Sequence, residues 1–182
     1  MKRIGNIYKQ IYKIDNIISA FNEVCKNTKN KNKSANFKDY KSIYIARIYT
    51  ILETRSFVPG NYNVFTIYEP KERKIVSQNM QDKVINHLVA RYILYPAILP
   101  RLLDVNVANR KGLGTSEGVR LSKKFHQTCK IKYGNYYILK CDVSKFFASI
   151  DHDILKEKLK KTIKDAESLK IIFDIIDVEK KV

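Results

Sequence analysis

Several things are scarce in this sequence, and each scarcity narrows what it can be. Nowhere do apolar residues run on for the roughly 18 that a membrane-spanning helix needs, and no signal-peptide pattern is present. The expectation is a soluble, unexported protein with no membrane partner. Cys25, Cys129 and Cys141 stand far apart with no CxxC pair. An odd count at such spacing argues against a disulfide framework and against zinc, and fits a reducing compartment, the cytoplasm. No internal repeat is visible, which removes solenoids and arrays. Acids are half as common as bases: 18 Asp and Glu stand against 35 Lys and Arg, a net charge of +17.

What is present is enough apolar material for a core, 45% of 182 residues, and a lopsided charge. Residues 1–58 hold 12 bases and 4 acids, residues 59–134 hold 13 and 5, and residues 135–182 hold 10 and 9. The first three quarters are a polycation, which suggests a polyanion partner, nucleic acid ahead of membrane. A Lys/Asn-rich codon bias would give the same surface lysines without a partner.

Along the chain, Ile7, Ile11, Ile14, Ile18, Phe21 and Cys25 recur at helical spacing and predict a helix over 6–25. "KNTKNKNKSANFK" reads as a polar connector. Helical period returns over 38–54 and breaks at Pro59-Gly60. "VFTIYEP" and "RKIVS" predict a β-hairpin with a basic tip, Lys71, Arg73 and Lys74. "NMQDKVINHLVARYILYPAI" predicts a helix with Met80, Val84, Leu88 and Tyr92 on one stripe, ended by Pro96 and Pro100. "ANRKGLGTSEGV" predicts a glycine-punctuated loop, then a helix from a Thr115 cap to about Lys132. Residues 136–143 alternate as a strand, with Tyr137, Leu139, Cys141 and Val143 on one face and Ile138, Lys140 and Asp142 on the other. Asp151 is placed to cap a last helix carrying Ile154, Leu155, Leu159 and Ile163, and the apolar stretch "LKIIFDIIDV" precedes a charged end.

Asp142 ends that strand on its polar face, where a carboxylate can ligate Mg²⁺, with the Val143 carbonyl as a neutral second ligand. Phe146 and Phe147 follow in a tight turn; an aromatic ring beside a nucleotide sugar leaves no room for a 2′-hydroxyl. Taken alone, these residues favour a loop-start acid beside two core phenylalanines.

The stretch "YILKCDVSKFFASIDHDIL" resembles the first catalytic motif of reverse transcriptases, above all the bacterial group of group II intron, retron and diversity-generating enzymes. Upstream and in order, "EPKERKIVSQNMQDKVINHLV" resembles that family's finger hairpin and following helix, and "VANRKGLGTSEGV" its glycine-rich segment. The three cover roughly residues 60–165, whereas residues 1–58 match nothing in the pattern. The resemblance implies an α+β fold: the fingers and partial palm of a right hand, mostly helical, with a finger hairpin and an incomplete palm sheet. Residues 1–58 would be a helical extension, 59–134 the fingers and 135–182 the start of the palm.

The same resemblance makes Asp142 the first catalytic, metal-binding aspartate, with Val143 beside it. Phe147, with Phe146, takes the position of the deoxy-selecting aromatic. Lys71 and Arg73 would grip the triphosphate of a deoxynucleoside triphosphate, a task suited to a mobile, bidentate guanidinium; as bare sequence, Arg73 is equally a solvated turn residue. Arg110, Lys111, Gly112 and Gly114 would let the backbone approach a template phosphate. The partners implied are an RNA template and a DNA primer, and the cofactor is Mg²⁺ in the complete enzyme. His87 and His152 are read as structural, and His126 lies in a basic helix with no ligand neighbours by spacing.

Two-metal phosphoryl transfer needs a second carboxylate. In the family it comes from a Tyr-x-Asp-Asp hairpin, and this sequence contains no Asp-Asp pair. Asp151 and Asp153 lie past the turn, and Asp174 and Asp177 fall on a helical stretch. The expectation is an N-terminal fragment of an RNA-directed DNA polymerase that is inactive alone, with an unpaired palm strand edge open to self-association. The alternative is a non-catalytic RNA-binding module built from the same fingers.

Overall fold

The computed structural model describes residues 2–60 and 62–178. It is α+β and mostly helical, with one two-stranded antiparallel sheet among the described residues. They fall into two compact units, one drawn from Met1–Pro100 and Asp151–Val182, the other from Arg101–Ile150. These are not the three consecutive segments expected from the sequence.

In the first unit, α1 (Ile14–Asn27) buries Ile17, Ala20, Phe21, Val24 and Cys25, one stripe at helical spacing. The helix starts eight residues later than the periodicity predicts. Tyr8 is held outside it by tertiary bonds: its N–H donates to Asp165 Oδ2 at 3.0 Å and its hydroxyl to the Leu52 carbonyl at 2.8 Å. Burial pushes the Tyr8 phenol up to about 12.

The Lys/Asn-rich connector also differs from expectation, because it contains a helix, α2 (Lys31–Asp39). Asn30 caps it, accepting from the Lys33 N–H at 2.9 Å. Ser34 turns inward to donate to the Cys25 carbonyl at 2.9 Å, and Phe37 stacks on Phe21 with centroids 4.5 Å apart. Two buried side chains suffice to anchor an otherwise polar helix. α3 (Lys41–Glu53) follows at once and buries Ile48 and Leu52.

The hairpin forms where predicted. β1 (Asn63–Ile67) pairs antiparallel with β2 (Arg73–Ser77), in a register that sets Phe65 opposite Ile75 and Ile67 opposite Arg73. α4 (Met80–Val89) begins three residues later, and Asn79 caps it by accepting from the Asp82 N–H at 2.8 Å. The buried Asp82 carboxylate accepts from the Gly60 N–H at 2.8 Å, fixing the entry to the hairpin against the first turn of α4. Burial is the leading cause that raises this carboxyl above its ordinary range.

Pro96 does not end the helical run. Residues Ala90–Leu94 widen into a π turn, with the Tyr95 N–H reaching back to the Ala90 carbonyl, and Pro96 then sits in the first turn of α5 (Tyr95–Ile98). A π turn and a proline placed at a helix start absorb the missing N–H that would break a regular helix.

The same core takes in the end of the described chain. α7 (His152–Lys160) is capped by Asp151, which accepts from the N–H groups of Asp153 and Ile154 at 2.9 Å, as its position predicts. α8 (Ala166–Ile176) buries Ile171 and Ile172. Ile4 bridges Ile163 in parallel, and Arg55 pairs with Glu167 at 2.5 Å. The N-terminal helices are therefore part of one core with α4, α7 and α8, not an appended layer.

The second unit is the opposite case. Its helix, α6 (Thr115–Tyr133), has Gly114 rather than Thr115 at the cap position and buries no residue along its length. No described side chain between Arg101 and Ile150 is buried. The strand predicted over 136–143 does not form. The segment has no regular structure, and Leu139 is 87% exposed. A strand exists only through ladder bonds to a neighbour, and among the described residues nothing pairs with it.

This contrast makes a prediction. Leu88, fully buried on α4, should cost about 2–5 kcal/mol when changed to Ala, whereas Leu139→Ala should stay within about 0.5 kcal/mol. Urea unfolding of the two variants checks it. Among the described residues no helix is long and apolar enough to cross a membrane. The charged end at 179–182 lies outside the described residues.

Candidate nucleic-acid interface

Arg101–Ile150 carries 10 Lys and Arg against 3 Asp and Glu, +7 over 50 residues. Little of it is neutralised locally. Arg120 is bound by Glu117 through both carboxylate oxygens, at 2.7 and 2.5 Å, which holds the Glu117 carboxyl below its ordinary range. Lys123, Lys124, Lys130 and Lys132 of α6 are exposed and form no ion pair among the described residues.

The glycine-punctuated loop is a genuine turn. Arg110 braces it from within, one guanidinium nitrogen donating to the carbonyls of Asn106 at 3.1 Å and Leu103 at 3.4 Å, while Lys111 stays exposed. The Leu113 N–H closes back on the Arg110 carbonyl at 3.1 Å. Gly112 has φ +80°, the left-handed region that favours glycine. At Gly114 the backbone is extended, and a Cβ would meet nothing within 4 Å, so nothing inside the protein calls for glycine there.

α6 and residues 136–139 line a cleft of about 450 Å³ that also takes in Val105, with Leu121, Phe125 and Cys129 among its lining. His126 Nδ1 lies 2.7 Å from the Tyr136 hydroxyl at its rim. Spacing gave no sign of that pair, since Tyr136 belongs to the segment read as a strand.

Asp142 and Val143 are exposed and lie in this unpaired segment, not at the end of a strand. The tight turn expected after them is present. Lys145 has φ +50°, the Ser149 N–H returns to the Lys145 carbonyl at 3.0 Å, and Ser149 Oγ donates to the Phe146 carbonyl at 2.8 Å. The rings of Phe146 and Phe147 meet edge to face at 5.4 Å, and Phe147 is 83% exposed. Neither ring is buried.

The carboxylates present do not fit a two-metal centre. Among the described residues no group of three His, Cys, Asp or Glu is placed to hold a metal ion. Of the other acids in this unit, Glu117 is engaged by Arg120, and Asp104 stands in the loop ahead of α6.

Lys71 and Arg73 belong to the other unit. Lys71 sits in the bend between the strands and Arg73 is the first residue of β2; both are exposed, and neither is in an ion pair among the described residues. The hairpin around them exposes both faces, with Phe65 half exposed and Val64 and Val76 nearly so. An isolated two-stranded ribbon of this kind is held mainly where it joins the body, here through Gly60 and Asp82. The sequence matches no protein-family model and no curated protein.

Proposed function

We propose that the chain is the fingers and the start of the palm of an RNA-directed DNA polymerase of the reverse transcriptase type, which adds deoxynucleotides to a primer on an RNA template. The observation that carries this reading is the order of parts. A hairpin with a basic tip leads into a capped helix; a basic, glycine-turned loop leads into α6; then Asp142 stands four residues ahead of Phe146 and five ahead of Phe147 at a tight exposed turn. In this reading Lys71 and Arg73 hold the triphosphate, Arg110 and Lys111 with the backbone at Gly112 and Gly114 meet the template, and Phe147 excludes the 2′-hydroxyl. Asp142 and the Val143 carbonyl supply part of a Mg²⁺ site whose other carboxylates come from outside the described residues. The unpaired segment 136–143 becomes a palm strand when neighbouring strands are supplied.

The test is primer extension by a chain completed with the remaining palm strands of a bacterial reverse transcriptase. In that protein Phe147→Ala should admit ribonucleotides while keeping deoxynucleotide addition in part. Unchanged discrimination between the two would remove Phe147 from the site.

A second reading, a non-catalytic RNA-binding module, is favoured by one observation: the positive charge is dense where carboxylates able to hold a metal are lacking. RNA binding without extension in the completed chain would select it.

A further inference from the structure

The first unit holds two clefts outside the residues assigned above. One, of about 520 Å³, lies between α2, α3 and the first turn of α4. Lys33, Phe37, Tyr40, Tyr44 and Arg47 line it, at spacings of four, three, four and three residues, so the α2–α3 junction presents them as one stripe. The second, of about 530 Å³, is lined by Lys29, Lys33, Lys83, His87 and Phe65. Lys33 belongs to both, so the two are neighbours along the surface.

We infer that these clefts form a groove for single-stranded nucleic acid, with a base stacked on Tyr40 and the flanking phosphates on Lys33 and Arg47.

Three features favour that ligand. The lining carries four Lys and Arg and no Asp or Glu, whereas the unit as a whole holds 15 Asp and Glu against 25 Lys and Arg. Three aromatic residues, Phe37, Tyr40 and Tyr44, stand between the cations Lys33 and Arg47, and two of the rings are packed: Phe37 stacks on buried Phe21 at 4.5 Å and Tyr44 lies 4.3 Å from Phe37. Tyr40, 59% exposed, lines the same cleft. Stacking rings over a cationic track are the elements that bind single strands with little sequence preference. Third, the aliphatic lining is confined to Met80 in one cleft and Val24 in the other, too little for an acyl chain or the apolar face of a helix. Asn79 and Gln81 add side-chain amides suited to base edges. A duplex keeps its bases stacked internally and cannot offer one to Tyr40.

This inference is independent of the polymerase reading, since none of Lys33, Tyr40 and Arg47 has a part in it. The test is fluorescence anisotropy on the full chain, with labelled oligouridylate and oligothymidylate of about 12 nucleotides, a length within the range of known single-strand sites, and an RNA duplex of the same length. Tyr40→Ala, which leaves the net charge unchanged, should weaken single-strand binding by about tenfold and leave duplex binding unaltered. Tyr40→Phe should bind as the unaltered chain does. Arg47→Gln should weaken the single strand more than Lys158→Gln, an exposed charge on α7 outside both clefts. The two oligonucleotides distinguish an RNA groove from one indifferent to the sugar. The inference is overturned if Tyr40→Ala binds the single strands as tightly as the unaltered chain, if it loses single strand and duplex alike, or if Tyr40→Phe loses as much as Tyr40→Ala.

Discussion

RNA binding by this chain is expected to collapse with salt, losing about 10³- to 10⁵-fold in affinity between roughly 50 and 200 mM if six to ten phosphates are neutralised. The net charge of +17 is the reason, and its placement sharpens the argument. In Arg101–Ile150 the arginines are partly committed, Arg120 to Glu117 and Arg110 to its own loop. The lysines are exposed: Lys111, Lys123, Lys124, Lys130, Lys132 and Lys140 all face solvent. Each one that meets a phosphate releases condensed counterions, and the entropy of that release shrinks as bulk salt rises. Lys123→Gln with Lys124→Gln should lower the slope of log affinity against log salt by about 2, one unit per lost contact, without changing which sequences bind. Filter binding or anisotropy across the salt series reads both numbers. A flat dependence would mean that the lysines are only a solubilising surface, as codon bias alone would produce.

How much of this was legible beforehand depended on whether the deciding interactions were local. The hairpin was, because its β-branched runs flank Pro70 and a polar tip, and the register follows from the turn. So were α4, with its apolar stripe, and Asp151, whose cap is a contact between near neighbours. α2 was hidden because only Ser34 and Phe37 anchor it, and their partners Cys25 and Phe21 lie on another helix. The joining of the N-terminal segment to α7 and α8 rests on pairings about 160 residues apart, such as Arg3 to the Ile163 carbonyl, which periodicity does not register.

Residues 136–143 show the converse. Their alternation is that of a strand, yet alternation specifies only which faces would be apolar; the ladder must come from a neighbour. At the candidate site, Asp142 and the Phe146–Phe147 turn lie within one short segment and were readable as such. The Tyr40 groove was not. It draws on α2, α3 and the start of α4, elements that come together only in the fold.

On the proposed reading, Asp142 is one carboxylate of a phosphoryl-transfer site that the remaining palm strands would complete. A lone exposed carboxylate does not fix one Mg²⁺ against another at the roughly 3.5–4 Å that such chemistry requires, and among the described residues no second group does so. Residues 1–182 alone should therefore give no primer extension above a no-protein control. Joined in one chain to the palm strands and Tyr-x-Asp-Asp hairpin of a bacterial reverse transcriptase, they should extend a DNA primer on an RNA template. Asp142→Asn is the decisive variant in that chain: it keeps the size and most hydrogen bonding of the side chain and removes only the charge. Primer extension by the completed chain, returned to background by Asp142→Asn, is the predicted result. Undiminished extension by the Asp142→Asn chain, or extension by residues 1–182 alone that Asp142→Asn abolishes, would contradict the account.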